Sequence, residues 1–172
     1  SALLSMKRPE EALRLCERAI QLKSDFPEAY NNLGGALRRL GRYTEAVGAI
    51  ENALRLRPDY AAAYSNLANI LLGNNQTAEA ITYCDEAIAL DPQLVEAHEQ
   101  RGGALVKLGR PDEAVPSLVR VLELAPDFDY AAGALAGARM ACCDWADYEA
   151  SRDRIVAGVE AGKAVVQPFT LL

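Results

Sequence analysis

The sequence predicts an all-α fold: a right-handed superhelix, or α-solenoid, of stacked antiparallel helix pairs. Three observations predict it. The 172-residue chain repeats itself every 34 residues, glycine and proline punctuate that period where helices must stop and start, and no strand-like alternating run occurs before Val165.

The period shows in four columns that share one register. Ala12, Ala46, Ala80 and Ala114 form the first, each preceded by a glutamate (Glu11, Glu45, Glu79, Glu113). Pro58, Pro92 and Pro126 form the second, Ala19, Ala53, Ala87 and Val121 the third, and Tyr30, Tyr64 and His98 the fourth.

Taken in order, residues 1–26 read as the end of a first helix followed by a complete second helix, with Pro9 at its first position. Residues 27–60, 61–94 and 95–128 are three full helix pairs. In each, a small residue of the first helix (Gly34, Ala68, Gly102) faces the alanine column of the second, which lets two backbones approach closely. Gly41 and Gly109 end first helices, Pro111 opens a second helix, and Pro58, Pro92 and Pro126 stop second helices. Pro116 falls inside a helix, so a kink is expected there. Residues 129–161 form a degenerate pair, because Tyr148 replaces the small alanine and Arg152 the apolar residue four positions on. Residues 162–172 read as a linker toward a further C-terminal domain. Each pair can bury its apolar stripe only against its neighbours, so the units must stack, with first helices lining the concave face.

Bulk composition narrows the function. At 51% hydrophobic residues the chain has material for a core, and no stretch approaches the roughly 20 apolar residues of a spanning helix. Its net charge of −6 argues against general nucleic-acid binding. The charge is uneven: residues 27–60 carry five arginines against four acids, whereas residues 61–94 carry four acids and no Lys or Arg. Cys16, Cys84, Cys142 and Cys143 lack metal-site spacings and read as reduced thiols of a cytoplasmic protein.

The residues Tyr30-x2-Leu33-Gly34-x2-Leu37, Ala46-x3-Ile50 and Pro58 resemble the tetratricopeptide repeat. In that family, first-helix positions two, five, six, nine, twelve and thirteen line a groove that grips other polypeptides. The resemblance therefore implies a peptide-binding groove containing Asn31, Asn32, Arg38, Arg39, Asn66, Asn69 and Gln100. Position six gives Asn32, Asn66, Gln100 and Ala134, a carboxamide ladder that can both donate to and accept from an extended peptide. The alternative is that Asn32 and Asn66 bond within or between neighbouring helices, and that Arg38 and Arg39 are simply solvated. The two-carboxylate clamp of chaperone-binding repeats is not matched, since Ser65, Asn66 and Gln100 stand where it needs other residues. Arg101 replaces the leucine of Leu33 and Leu67 and must reach solvent or pair with an acid such as Glu99 or Glu113.

No catalytic constellation emerges, and no metal or cofactor is implied. His98 continues a tyrosine column and reads as packing. No phosphate-cradling glycine loop occurs. Cys16 and Cys84 share a core position with Ile50 and Leu118, and Cys142 and Cys143 are expected to be buried beside Trp145.

The run Cys142-Cys143-Asp144-Trp145-Ala146-Asp147-Tyr148, followed by a long helix and Gln167-Pro168-Phe169-Thr170-Leu171-Leu172, resembles the junction after the repeats of O-linked N-acetylglucosamine transferases and their SPINDLY-like relatives. That resemblance implies a parent glycosyltransferase using a uridine-diphosphate sugar, with this chain as its non-catalytic, substrate-selecting arm. The alternative is a stand-alone adaptor recruiting an unrelated partner. The expected partner is a protein or peptide, with neither nucleic acid nor membrane, and an uncapped repeat end at residues 1–26 favours self-association.

Overall fold

The structure, a computed structural model, describes the backbone of residues 2–128, 130–145 and 148–162, and their side chains except for residues 2–8 and Ser151. Every regular element among them is a helix: α1 (Ala2–Leu22), α2 (Pro27–Arg39), α3 (Tyr43–Leu56), α4 (Ala61–Gly73), α5 (Thr77–Leu90), α6 (Val95–Lys107), α7 (Pro111–Leu124), α8 (Ala131–Ala141) and α9 (Tyr148–Glu160). None of them is long and apolar enough to cross a membrane. The chain divides into two compact units, residues 1–92 and 93–172.

In the first unit α2 pairs with α3 and α4 with α5, while α1 lies against α2 and α3 against α4. The core is the set of columns seen in the sequence: Ala46, Ile50, Ala53, Ala68, Ala80, Cys84 and Ala87 are all fully buried. Small residues bring the paired helices together. At Gly34 an added Cβ would sit 2.5 Å from Ile50 Cδ1, so the hydrogen at this position is part of the packing. In the second unit α6 pairs with α7, α8 packs on α7 and α6, and α9 on α8. Gly102 repeats the close approach, now to Leu118.

Each first helix ends in the same turn. The N–H groups of Arg42, Gln76, Arg110 and Asp144 bond back to the carbonyls of Leu37, Leu71, Leu105 and Arg139 at 2.8–3.0 Å, the six-residue closure that satisfies the last carbonyls of a helix. The residue before each of them takes a left-handed backbone: Gly41 at φ +73°, Asn75 at +60°, Gly109 at +72° and Cys143 at +56°. Second helices begin with a bracing contact in the same register. Arg42 grips Glu45 with two bonds of 2.6–2.7 Å, and Arg110 grips Glu113 likewise at 2.6 Å. They end at Arg57, Asp91 and Ala125, whose extended backbone (φ near −140°) is what the following prolines demand.

Several expectations are corrected. Pro9 opens no helix, because α1 runs unbroken from Ala2 to Leu22 through it. Lys7 stands in the column of Gly41, Asn75 and Gly109, and with no glycine or asparagine there the chain lacks the residue that turns most easily. Cys142 and Cys143 are not buried beside Trp145: Cys143 is exposed in the left-handed turn, and Trp145 is 58% exposed. Cys16 is half-buried rather than part of the core. Pro116 falls inside a helix as expected, since α7 continues through it to Leu124. Arg101 is half-buried, and its guanidinium donates to Ser117 Oγ at 3.0 Å and to the Glu113 backbone carbonyl at 3.3 Å. α9 forms despite Tyr148 and Arg152 but leaves Tyr148, Val156 and Val159 about half exposed. Of the expected linker 162–172 only Gly162 is described, so the Gln167 to Leu172 segment lies outside the described residues.

Candidate polypeptide-binding cleft

A cleft of about 490 Å³ opens in the first unit between α1, α2 and α4. Its first wall is α1, presenting Pro9, Ala12, Leu15 and Cys16. Its second is α2, presenting Asn31, Asn32, Gly35, Ala36, Arg38 and Arg39, with Asn66 reaching in from α4. One wall is apolar and the other polar and basic. No carboxylate is among the lining residues.

The polar wall is held by a chain of contacts that spans three elements. Asn66 Nδ2 donates to Asn31 Oδ1 at 2.8 Å, and Asn31 Nδ2 donates to the Tyr60 hydroxyl at 3.5 Å. The Arg57 guanidinium lies over the Tyr60 ring, 4.8 Å from its centre, and bonds to Glu28 Oε1 at 2.5 Å. Asn31 is thus a buried, spoken-for carboxamide (7% exposed), whereas Asn32 is exposed and Asn66 half-buried. Since Asn66 gives one N–H to Asn31, it keeps a second N–H and its oxygen for other partners. Arg38 and Arg39 form no hydrogen bond or ion pair with any described residue.

Of the seven residues expected in the groove, the structure gathers five: Asn31, Asn32, Arg38, Arg39 and Asn66. Asn69 lies on α4 outside the lining, and Gln100 belongs to the second unit, where it is buried at 7%. The observed contact therefore joins positions five and six of successive repeats, Asn31 to Asn66, rather than a ladder of sixth positions. Sequence reasoning missed Tyr60 and the α1 wall. Tyr60 stands in the column of Phe26, Leu94 and Phe128, and of these four it alone carries a hydroxyl.

The thiol of Cys16, on the apolar wall, is pushed up by burial and secondarily by the charge of Glu17, so it stays protonated at neutral pH. His98 is buried at 8%. Among the described residues no three His, Cys, Asp or Glu side chains gather as a metal ion requires. A second cleft of about 380 Å³, between α7, α8 and α9, has an apolar floor of Val119, Leu122 and Leu135 and mixes Arg139 and Arg154 with Glu123, so it lacks a single sign of charge.

No curated protein gives a significant sequence match. Solved structures do. A double mutant of MamA from strain RS-1 superposes with a TM-score of 0.77 at 22% identity, over 92% of this chain and 89% of that one. YrrB, described as a tetratricopeptide repeat protein with an unusual peptide-binding site, gives 0.68 at 25% identity over 91% and 80%. The first tetratricopeptide domain of Spaghetti (RPAP3), bound to the HSP90 peptide SRMEEVD, gives 0.66 at 26% identity over 68% and 95%. Tetratricopeptide repeat models match residues 1–51 and 36–95, and a second such model matches 95–128. The chain is accordingly a member of the tetratricopeptide repeat family.

Proposed function

We propose that this chain is a protein-interaction scaffold that holds a segment of another polypeptide in the α1–α2–α4 cleft. The observation that carries the reading is the pair Arg38 and Arg39 on the cleft wall beside Asn32 and Asn66, with no carboxylate lining the space. The guanidiniums take carboxylates of the segment, and the carboxamides take its polar groups, giving and accepting in equal measure. An extended segment and a helix can both meet these groups. The RPAP3 domain holds an acidic peptide, which supports the choice of ligand class; Ser65, Asn66 and Gln100 depart from the chaperone clamp and argue for a different acidic sequence.

The test is selection of a random 16-residue peptide library displayed on phage. Acid-enriched sequences are expected, and Arg38→Ala with Arg39→Ala should weaken the selected peptides by about 10- to 100-fold, as two lost charge-assisted bonds imply. Selected peptides that bind the double variant undiminished would sink the reading.

A narrower reading rests on the run Cys142 to Tyr148, which resembles the junction in O-linked N-acetylglucosamine transferases. On it the chain selects substrates for a glycosyltransferase, and the cleft's occupant is a protein to be glycosylated. Sequencing the source gene past the codon for Leu172 tests it: a nucleotide-sugar-binding α/β domain downstream supports it, and a stop codon leaves the stand-alone adaptor.

A further inference from the structure

The second unit repeats the first unit's contacts between repeats with the partners taken away. In the first unit Arg57 holds Glu28, while Asn31 accepts from Asn66 and donates to the Tyr60 hydroxyl. Two repeats further on, Glu96 and Glu99 stand in the places of Glu28 and Asn31, and Ala125, Phe128 and Ala134 in those of Arg57, Tyr60 and Asn66. An acid has replaced the amide, and the cation, the hydroxyl and the carboxamide that would meet the two side chains are gone. Glu96 and Glu99 form no hydrogen bond or ion pair with any described residue.

We infer that the face shared by α6 and α8 is a second docking surface, which takes a segment of a partner protein carrying a lysine or arginine with an apolar residue close beside it. The inference goes beyond the reading of the α1–α2–α4 cleft and does not depend on it. Three observations support it.

First, the exposed residues of α6, Glu96, Glu99, Gly103, Val106 and Lys107, follow helical spacing and form one stripe. Both α6 and α8 have their second helices, α7 and α9, packed against them, so the stripe is what a complete pair leaves to solvent. Second, α8 sets Gly137 and Met140 in register with Gly103 and Val106. A Cβ at either glycine would meet nothing within 4 Å, and Val106 and Met140 are 42% and 54% exposed. The glycines thus leave a floor without side chains between an acidic end and an apolar one. From Glu99 to Gly103 is about 6 Å at 1.5 Å per residue, close to the roughly 6.6 Å between alternate side chains of an extended segment. Third, the acidic end has an unmet charge. Burial, and secondly the charge of Glu96, pushes the Glu99 carboxyl up from the usual range. A guanidinium or ammonium placed between the two carboxylates relieves their repulsion, whereas an acidic segment would add to it. Lys107, the cation of the stripe, stands at its far end, about 12 Å from Glu99 along α6.

The experiment selects the 16-residue display library on the full chain. Beside acid-rich peptides it should return a second class, with lysine or arginine and an apolar residue two positions away. Glu96→Gln combined with Glu99→Gln should weaken that class about tenfold. Gly103→Leu, which fills the floor from a position with open space around it, should do the same. Asp85→Asn combined with Glu86→Gln removes as much charge from α5 and should leave the class unchanged. In an NMR titration of the unaltered chain, a selected basic peptide should lower the pH at which Glu99 protonates. Equal weakening by the α5 pair would mean attraction to net charge alone and would overturn the inference. So would the absence of a basic class, or basic peptides that bind the Glu96→Gln, Glu99→Gln chain undiminished. The first cleft is judged separately, by whether acid-rich peptides are weakened when Arg38 and Arg39 are replaced.

Discussion

Replacing Gly34 by alanine sets two effects of similar size against each other, and the structure decides between them. Inside a helix the exchange ordinarily stabilises by about 0.5–1 kcal/mol, because glycine loses more backbone freedom on folding. At Gly34 the new Cβ would meet Ile50 Cδ1 at 2.5 Å, Ile50 Cγ1 at 2.7 Å and the Ala46 carbonyl oxygen at 3.2 Å. Ile50 is fully buried, so it cannot swing into solvent and must press on its neighbours. Overpacking of that kind costs about 1–3 kcal/mol, which leaves Gly34→Ala destabilised by about 1 kcal/mol. Gly35, the next residue, meets nothing within 4 Å, so Gly35→Ala keeps the gain without the cost. The contrast recurs in the second unit, where a Cβ at Gly102 would meet Leu118 Cγ and Cδ2 at 2.8 Å and one at Gly103 would meet nothing within 4 Å. Urea unfolding followed by circular dichroism at 222 nm on the four variants should separate each neighbouring pair by about 2 kcal/mol. Equal midpoints for Gly34→Ala and Gly35→Ala would refute the claim that glycine at position 34 is a packing requirement.

Three other expectations follow from single residues. Glu28 is held below the usual carboxylate range, chiefly by its bond from Arg57 and then by a backbone hydrogen bond. A depressed folded-state value means its contribution is complete above the unfolded value of about 4.3 and disappears as pH falls through the folded one. An NMR titration should find Glu28 among the last glutamates to protonate, and in Arg57→Gln it should protonate at higher pH than in the parent, toward the ordinary range. Cys143→Gly should raise stability by about 0.5–1 kcal/mol, since a left-handed backbone strains any residue with a Cβ, and thermal unfolding would show it. With an aromatic disulfide reagent, Cys143 should react first, Cys16 should lag because its thiol is held protonated, and Cys84, fully buried, should react only on unfolding. Mass-spectrometric mapping of the labelled thiols gives the order.

The fold was legible because its packing depends on residue size at fixed intervals. Gly34 against Ala46, Ala68 against Ala80 and Gly102 against Ala114 can be paired from the sequence alone, since only small residues allow the approach. Turn conformation was only half legible. Glycine at 41 and 109 announces a left-handed residue, asparagine at 75 tolerates one, and cysteine at 143 gives no hint; there the turn is imposed by the bond from Asp144 N–H to the Arg139 carbonyl. Arg101 shows a second limit. That it needed a partner was clear, but its acceptors, Ser117 Oγ and the Glu113 carbonyl, depend on how α6 and α7 lie together. In the cleft, position-six asparagines could be found by counting, whereas the bond from Asn66 to Asn31 crosses between repeats and depends on the stagger of α2 and α4. The α1 wall was not expected in the groove, because Cys16 was read as core by analogy with Ile50, Cys84 and Leu118 in its column.

The recurrence of one turn at 41, 75, 109 and 143 makes length a stepwise variable for this protein. Excision of residues 42–75 would splice Gly41 to Gln76, which bonds to Glu79 at 2.9 Å in the same register as Arg42 to Glu45. Gly34, tight against Ile50, would then face Cys84, a smaller side chain, so the new joint would be looser rather than strained. Genes built from such interchangeable cassettes can gain or lose binding surface by recombination at a turn, without inventing a new interface between helices.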